Sequence, residues 1–398
     1  MEYHHSPRMG KQTDAIHGHG FRDQFGAVVP PIYQTAIFEN VLKETGEKRL
    51  SDRGRDLKYS REENPTVRCL ERALAKLEGC EDALCFSSGM AAISTVLLSE
   101  LRLGDEVLVL EELYGATLQL VEALRKFGVR VSYAYPRTED VLDALHSGLR
   151  LVFVETMTNP TLKVLDVPEV ARACMEEGIP LAVDNTFVSP ILYRPLPDGA
   201  TYVLHSTTKY ISGNNSVVGG VLASTDTEKI RGELWEWRRW LGTVMAPFNA
   251  YLTLEGLKTL ALRVKRHSDS ALQVAEFLSE HPKVSEVLYP GLPDNEYHEV
   301  ASRVFDGGLF GGVVSFRVRG GLDETVGLMR NLKLVKATPS LGGPETMMTH
   351  PLSSLSFSHI PEERRRKLGL TENLLRMAVG LEDVEDIIED LDRALSQI

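Results

Sequence analysis

Residues 151–183 read LVFVETMTNPTLKVLDVPEVARACMEEGIPLAV and contain two short apolar runs with a helical pattern between them. The runs, residues 151–154 and 181–183, have the length and composition of buried strands. Between them, apolar residues of segment 167–177 recur at intervals of three and four, the spacing of an amphipathic helix. A strand, a crossover helix and a second strand form the repeating unit of a parallel sheet.

The same alternation continues on both sides of this unit. Further strand-like runs occur at residues 107–110, 129–135 and 202–204, and a further helical pattern occurs at residues 118–127. The uncharged segment 83–99 is too short and too polar to cross a membrane, and we interpret it as a buried strand that leads into a helix. These patterns predict an α/β fold in which a mostly parallel sheet lies between helices.

The C-terminal part of the chain carries a second, smaller set of elements. A long helical pattern covers residues 252–278, and residues 286–291 and 312–317 resemble strands. In the acidic segment 382–392, apolar residues at helical intervals predict a helix with one solvated, charged face. A smaller C-terminal α/β domain is therefore expected after the large one.

Composition excludes several classes of protein. The 398 residues suffice for two or three domains, and 43% hydrophobic with 25% charged residues is typical of a globular chain. A net charge of −12 argues against general binding to a nucleic-acid backbone. Four cysteines without a metal-ligand spacing indicate reduced thiols, and the polar residues 1–5 lack a secretory signal, so we expect a cytoplasmic protein with neither nucleic acid nor membrane as partner.

Residues 1–60 show little periodicity and many charges, including basic clusters at residues 48–49 and 53–55. Such a cluster is usually loop surface. A long arm could instead reach a neighbouring subunit, and these residues leave both interpretations open.

The segment HSTTKYISG, residues 205–213, follows the strand-like run that ends at Leu204 and contains the most informative lysine. Lys209 could form an imine with an aldehyde cofactor. Ser206 and Thr208 would lie on the same side of an extended chain and could donate to phosphate oxygens. The alternative interpretation is a surface lysine after a strand.

Asp184 stands at the carboxyl end of the strand-like run 181–183, 25 residues before Lys209. Ligands of open α/β sheets bind at this end. A carboxylate here could pair with a pyridine nitrogen and favour its protonated form. Capping of the following loop is the alternative role.

Two further segments could contact a planar, phosphorylated cofactor. Ser88, Gly89 and Met90 open a helical pattern, and the N–H groups at a helix start can bind phosphate. Plain helix capping by the serine is the alternative. Tyr114 follows the run 107–110 and could stack on a ring, although such a tyrosine more often lies at the edge of a core.

Several polar residues could bind the substrate or the phosphate. The guanidinium fork of Arg376 suits an α-carboxylate, but a lone arginine is usually part of a surface ion pair. Asn159 could bond the cofactor or substrate, or it could be a turn residue before Pro160. Tyr59 and Arg61 could supply a phosphate contact.

Metal and dinucleotide sites are not expected. The histidines of residues 4–5 and 17–19 have no carboxylate or cysteine at a ligand spacing. The glycines of segment 18–26 follow no strand, so they do not form a dinucleotide fingerprint.

The order of these motifs resembles that of the Cys/Met-metabolism family of enzymes dependent on pyridoxal phosphate (PLP). This transsulfuration group includes cystathionine γ-synthase, cystathionine γ-lyase, methionine γ-lyase and O-acylhomoserine sulfhydrylases. The resemblance extends over nearly the whole chain and rests on residues 30–35, 59–61, 64–66, 88–90, 184–186, 206–210, 256–260, 340–343 and 379–382.

The resemblance implies a PLP enzyme of fold type I and assigns roles to individual residues. Lys209 would hold the cofactor covalently, Asp184 would pair with its ring nitrogen, and Tyr114 would stack on the ring and serve as the candidate acid for the leaving group. The other implied cofactor-binding residues are Ser88, Gly89, Met90, Ser206 and Thr208, joined by Tyr59 and Arg61 reaching in from the neighbouring subunit. The implied substrate-binding residues are Asn159, Ser340 and Arg376.

The resemblance also implies how the chain is divided and assembled. Residues 1–60 would form an arm that contacts the neighbouring subunit, residues 61–255 the PLP-binding large domain, and residues 256–398 the C-terminal domain. Active dimers would pair into a homotetramer.

Two positions depart from family patterns that accompany particular substrates. Pro339 replaces a glutamate that cystathionine enzymes often have, and Ala116 replaces a cysteine usual in methionine γ-lyases. The leading hypothesis is elimination at Cγ or Cβ of a small sulfur amino acid, which releases a thiol, ammonia and a 2-oxo acid. The alternatives are γ-replacement on an O-acylated homoserine, a non-catalytic PLP-fold scaffold, and a nucleotide-binding protein, which would need a glycine-rich first turn.

Overall fold

The predicted strand–helix–strand unit is present in the computed structural model, which describes residues 9–22, 25–354, 357 and 360–398. Strands Leu151–Glu155 and Leu181–Asp184 pair in parallel on either side of helix Val167–Glu177 in the sequence. The helix begins where the Asp166 side chain accepts a hydrogen bond from a first-turn N–H group (3.1 Å), and it ends at Gly178, whose φ of 69° suits glycine.

This unit belongs to a seven-stranded sheet of the described residues. In order across the sheet the strands are β1-β7-β6-β5-β4-β2-β3, and all are parallel except β7, which is antiparallel to both neighbours. The strands are β1 (Asp82–Phe86), β2 (Glu106–Leu110), β3 (Arg130–Ala134), β4 (Leu151–Glu155), β5 (Leu181–Asp184), β6 (Tyr202–His205) and β7 (Gly220–Ser224). The mostly parallel sheet was predicted, whereas β7 was not.

Helices surround this sheet and precede the second one. The N-terminal set is α1 (Lys11–His17), α2 (Pro65–Glu78), α3 (Gly89–Glu100), α4 (Gly115–Leu124), α5 (Thr138–Asp143), α6 (Val167–Glu177), α7 (Ser189–Leu192), α8 (Thr227–Lys229), α9 (Trp235–Leu241) and α10 (Pro247–Leu257). In the described part of the chain, no helix is long and apolar enough to cross a membrane.

A second sheet follows, with five strands in the order β10-β11-β12-β9-β8 among the described residues. These are β8 (Val284–Leu288), β9 (Val313–Val318), β10 (Lys336–Ala337), β11 (Met347–Thr349) and β12 (Leu374–Ala378). The accompanying helices are α11 (Leu260–Glu280), α12 (His298–Val304), α13 (Leu322–Asn331), α14 (Pro351–Ser354), α15 (Glu362–Leu368) and α16 (Val384–Leu395). The predicted smaller α/β unit is present, while its boundary at residues 255 and 256 stays a prediction.

Residues 252–278 do not form the one long helix that their pattern indicates. The chain forms the end of α10 and most of α11, with a break at Lys258 and Thr259. At this break the carbonyl of Gly256 accepts hydrogen bonds from the Thr259 N–H group and the Arg263 guanidinium, at 3.2 and 2.7 Å. A turn hydrogen bond and a side-chain hydrogen bond therefore take the place of the regular helical hydrogen bonds at this break.

The N-terminal 60 residues contain a buried cation, so the loop-surface interpretation of the cluster 53–55 is wrong for Arg53. Its side chain is fully buried and lies 2.7 Å from carboxylate oxygens of Glu71 and Asp82. This ion pairing fixes the segment to α2 and β1 of the same chain. Contact of the arm with a neighbouring subunit stays a prediction.

Candidate active site

A cavity of about 380 Å³ lies where the carboxyl ends of β4, β5 and β6 face the second sheet. Ligands of open α/β sheets bind at this end of the strands. The cavity brings together eleven of the predicted site residues, which are Ser88, Gly89, Met90, Tyr114, Asn159, Asp184, Ser206, Thr208, Lys209, Ser340 and Arg376.

Lys209 lies in this cavity, a few residues beyond the end of β6. Its Nζ donates a hydrogen bond to the Ser340 hydroxyl (3.0 Å), which comes from the segment before β11. Burial, together with the positive charge of Arg376, lowers the pKa of Lys209 to about 8. A lysine with this pKa supplies far more free amine near neutral pH than an exposed one.

The segment 206–208 is not extended, so the extended chain assumed for Ser206 and Thr208 is wrong. Lys209 N–H donates to the carbonyl of Ser206 (3.2 Å), and Ser212 N–H donates to that of Thr207 (2.9 Å), so the chain forms tight turns. Ser206 and Thr208 nevertheless both line the cavity.

Asp184, the last residue of β5, also lines the cavity. One carboxylate oxygen accepts hydrogen bonds from the Thr186 N–H group and hydroxyl, at 3.0 and 2.5 Å, so the loop-capping role is present. Burial raises the pKa of Asp184, although the Thr186 hydrogen bonds and nearby His205 act in the opposite direction. No ion pair of Asp184 is found within the described ranges.

Arg376 on β12 is buried and held by two acceptors. Its Nη1 donates to the side-chain oxygen of Asn159 and its Nη2 to the carbonyl of Ser340, both at 2.9 Å. Burial lowers the pKa of Arg376 to about 10. Its Nε has no hydrogen-bond partner in the described part of the chain. The arrangement is a fixed guanidinium fork facing a cavity, which suits a carboxylate.

The start of α3 brings a serine, a glycine and backbone N–H groups without intrahelical acceptors to the cavity. The Ser88 hydroxyl accepts from the Ala91 N–H group (3.1 Å), so it caps the helix as well as lining the cavity. Gly89 and Met90 are the first two residues of the helix, whose N–H groups have no intrahelical acceptor. A Cβ at Gly89 would lie 2.9 Å from that of Ser206, so glycine is needed for this close approach.

Residues 12–396 match the sequence profile of the family described as Cys/Met metabolism PLP-dependent enzyme. The chain belongs to this family. The predicted family and PLP dependence are thereby confirmed, and the mostly parallel sheet followed by a smaller second sheet confirms the predicted fold class.

Relatives within the family include both lyases and synthases. Cystathionine γ-synthase of Mycobacterium tuberculosis is 42% identical over 399 residues, covering 98% of each chain. L-methionine γ-lyase of Fusobacterium nucleatum subsp. polymorphum is 37% identical over 394 residues, covering 98% of this chain and 99% of the relative. The solved structure of cystathionine γ-synthase from Xanthomonas oryzae pv. oryzae in complex with aminoacrylate and cysteine has a TM-score of 0.91 at 36% identity, covering 98% of this chain and 99% of that chain.

The cavity residues fit the cofactor of the PLP-dependent family. Lys209 offers an amine of lowered pKa to an aldehyde, and Asp184 offers a carboxylate without an ion pair to a pyridine nitrogen. The turn at Ser206 and the start of α3 at Gly89 approach so closely that only glycine fits at position 89. The amide and hydroxyl groups of these two segments would hold the cofactor phosphate.

Tyr114 is the residue before α4 and is 44% exposed at the mouth of the cavity. Its backbone N–H group donates to Oε1 of Glu155 (2.7 Å). Glu155, the last residue of β4, also lines the cavity and is buried. It was not predicted as a site residue, although its place at the end of a buried strand is the signal that identified Asp184.

Tyr59 and Arg61 do not line this cavity. Both are exposed, and the Arg61 guanidinium lies 5.4 Å from the centre of the Tyr59 ring. Their placement in a neighbouring subunit's site stays a prediction.

Among the described residues, no group of three His, Cys, Asp or Glu side chains is arranged to hold a metal ion. The histidine pair at residues 4–5 lies outside the described residues.

Proposed function

We propose that this chain is a carbon–sulfur lyase of sulfur amino acids, in which the amine of Lys209 binds PLP covalently. The observation that carries the proposal is the single cavity shared by Lys209, Asp184 and Arg376. An amine of lowered pKa, a carboxylate and a buried guanidinium fork provide the functions that an amino acid substrate and a pyridine aldehyde require.

Each group has one task in this proposal. Arg376, held by Asn159 and Ser340, binds the substrate α-carboxylate. When bound, PLP supplies an electron sink for the pair left at the substrate Cα. Lys209, with a pKa of about 8, moves protons between the substrate carbons Cα, Cβ and Cγ. The hydroxyl of Tyr114 protonates the departing sulfur.

The proposed reaction is an elimination followed by a hydrolysis. The carbon–sulfur bond breaks with its electron pair leaving on sulfur, which takes up a proton and departs as a thiol. Water then releases ammonia and a 2-oxo acid. A γ-leaving group requires proton movement at both Cα and Cβ, and a β-leaving group requires it at Cα alone.

Apolar side chains line much of the remaining cavity, and they support a substrate whose distal part is uncharged. Pro339 is one of them, and it stands where cystathionine enzymes of the family often have a glutamate. The others are Ile93, Ala116, Met157, Phe187, Val218 and Leu341.

The second candidate function is γ-replacement on an O-acylated homoserine. The 42% identity to a cystathionine γ-synthase supports it. Both reactions use the same groups up to loss of the γ-substituent, and they differ in whether water or a thiol completes the reaction.

We also propose which residues bind the cofactor phosphate. They are Ser88, Gly89, Met90, Ser206 and Thr208, and the phosphate site is completed by the partner subunit's Tyr59 and the partner subunit's Arg61. The protein is then a cytoplasmic homotetramer of active dimers, with an arm (1–60), a large domain (61–255) and a C-terminal domain (256–398).

The cofactor assignment is tested by Lys209→Ala, with the exposed lysine variant Lys265→Ala as the matched control. We expect the first to lose turnover by at least about a thousandfold and to lack the yellow absorbance, whereas the control keeps both. Borohydride reduction followed by peptide mass spectrometry should place the adduct on Lys209. An adduct on another lysine would refute the assignment.

The reaction type is tested with a panel of methionine, cysteine, cystathionine, and O-acylhomoserine with and without a thiol. Release of 2-oxo acid from the thioether substrates supports the lyase. Thioether formation without 2-oxo acid release would replace it with the second candidate.

A further inference from the structure

Glu155 joins two groups of the proposed site. It pairs in register with Asp184, since β4 and β5 are parallel neighbours and both residues end their strands. Its Oε1 accepts a hydrogen bond from the backbone N–H of Tyr114, the residue before α4. A single buried carboxyl group therefore lies between the ring-stacking candidate and the candidate partner of the ring nitrogen.

This hydrogen bond is one of three backbone contacts that hold Tyr114. The residue is the N-cap of α4, and its carbonyl accepts the N–H groups of Thr117 and Leu118, at 2.9 and 3.2 Å. Its own N–H group is held by Glu155, while its side chain is 44% exposed. Loss of the acceptor would leave a backbone donor unpaired and allow the residue to move.

The hydrogen bonds of the two neighbouring carboxyl groups are unequal. Asp184 accepts two hydrogen bonds from Thr186, while Glu155 accepts one and its buried Oε2 has no partner among the described residues. Two adjacent carboxyl groups removed from water do not both ionise, and the one with more donors keeps the charge. His205 further favours the charge on Asp184.

The surroundings of Glu155 agree with this division. Burial and the negative charge of Asp184 raise the pKa of Glu155 well above its usual range, Glu112 adds to the effect, and the Tyr114 N–H opposes it. Lys209 and Arg376 line the same cavity, but neither is among the groups that shift the pKa of Glu155.

We propose that Glu155 is a positioning residue that acts as a neutral carboxylic acid. Its Oε1 fixes Tyr114 over the cofactor space, and the proton it keeps leaves Asp184 as the charged carboxylate for the ring nitrogen. The inference rests on the proposed function for the roles of Tyr114 and Asp184, but the protonation of Glu155 does not.

Difference infrared spectroscopy between the wild type and Glu155→Gln tests the protonation directly. We expect the carbonyl stretch of a protonated carboxyl group at neutral pH, in both the holoenzyme and the cofactor-free protein. The exposed Glu276→Gln variant serves as the control and should show only the carboxylate bands. A carboxylate signal from Glu155 would overturn the proposal.

Cofactor affinity tests the positioning role. Glu155→Gln keeps a neutral oxygen acceptor for the Tyr114 N–H, and we expect its Kd for PLP to stay within about threefold of the wild type. Glu155→Ala removes the acceptor and should raise the Kd by about tenfold. Equal weakening in both variants would overturn the proposal, since it would mean that the ionised carboxylate is required.

The two proposals fail in different ways. A borohydride adduct on another lysine would refute the proposed function without changing the infrared signal of Glu155. If Glu155→Ala does not fold, the infrared signal and the affinity of Glu155→Gln still decide, because a charged Glu155 would alter both.

Discussion

Lys209 Nζ lies 3.0 Å from the hydroxyl of Ser340, and this hydrogen bond joins two separate parts of the fold. Lys209 follows β6 of the seven-stranded sheet, and Ser340 precedes β11 of the five-stranded sheet. The backbone carbonyl of Ser340 also accepts from Arg376 (2.9 Å). One residue therefore fixes the amine and the guanidinium relative to each other, so the site depends on how the two sheets pack together.

The lowered pKa of Lys209 predicts the pH dependence of cofactor binding. Only the neutral amine attacks an aldehyde, and with a pKa of about 8 roughly one lysine in ten is neutral at pH 7. We expect the rate of PLP capture by the cofactor-free protein to rise with pH and to level off above about pH 8. Stopped-flow absorbance from about pH 6 to about pH 10 measures this rate.

The lowered pKa of Lys209 also predicts how stability changes with pH and how removal of the Arg376 charge affects PLP capture. Between about pH 8 and pH 10.5 the unfolded chain holds a proton that folded Lys209 has lost, so this group makes folding more favourable as the pH rises. Arg376→Gln removes a positive charge that lowers the pKa, so the midpoint of PLP capture should move upward. A capture rate that still climbs past pH 10 in the wild type would contradict the prediction.

The fork of Arg376 predicts that lysine cannot replace it. Arg376→Lys has one nitrogen in place of the two that bond Asn159 and Ser340, so it cannot keep both partners and also bind a carboxylate. We expect kcat/KM for amino acid substrates to fall by about ten- to a hundredfold, the effect of losing one charged hydrogen bond. The exposed Arg366→Lys is the control in steady-state kinetics, and unchanged kinetics for Arg376→Lys would refute the role.

The sequence predicts the elements whose signal is local. Apolar runs and helical spacing identify β4, α6 and β5, and a polar residue after a buried strand identifies Asp184 and Lys209 at the carboxyl edge of the sheet. The guanidinium group identifies Arg376 as a candidate carboxylate-binding residue, and resemblance to a family adds Ser340. Both lie far from Lys209 in the sequence and reach the cavity from the side of the second sheet.

The features that the sequence does not predict depend on tertiary contacts. Arg53 lies in a segment whose composition is typical of a surface loop. Its burial follows from its ion pairs with Glu71 and Asp82, which come from other parts of the chain. Glu155 is one charged residue at the end of a strand, and its importance follows from the register with Asp184. The antiparallel strand β7 has only two large apolar residues, Val221 and Leu222, so no apolar run identifies it in the sequence.

The buried pairing of Arg53 predicts a large loss of stability on its removal. Arg53→Met leaves the carboxylates of Glu71 and Asp82 with fewer cations in a buried place, which should lower the free energy of unfolding by about 3–5 kcal/mol. Urea denaturation measures the change. Arg49→Met, an exposed arginine of the same segment, should change it by less than about 0.5 kcal/mol. Equal effects of the two variants would show that the pairing contributes nothing.

Substitution of Gly342 should affect both the stability of the protein and the position of Ser340 relative to Lys209. Its φ is 75°, and a Cβ there would lie 2.5 Å from the backbone nitrogen of Tyr210, the residue after Lys209. Gly342→Ala must therefore push the segment that carries Ser340 away from the lysine. We expect a lower Tm and a loss of turnover of about tenfold, because the Lys209 to Ser340 hydrogen bond is stretched.

Gly307 provides the matched control for this variant. Its φ is 72°, but a Cβ there would meet only the Leu309 side chain, at an ordinary contact distance of 3.9 Å. Gly307→Ala should therefore lower the Tm through backbone strain of about 1 kcal/mol while turnover stays at the wild-type level. Differential scanning calorimetry and steady-state kinetics on both variants measure the two effects. If Gly342→Ala lost stability alone, as Gly307→Ala should, then contact between the two segments would not set the position of the reactive amine.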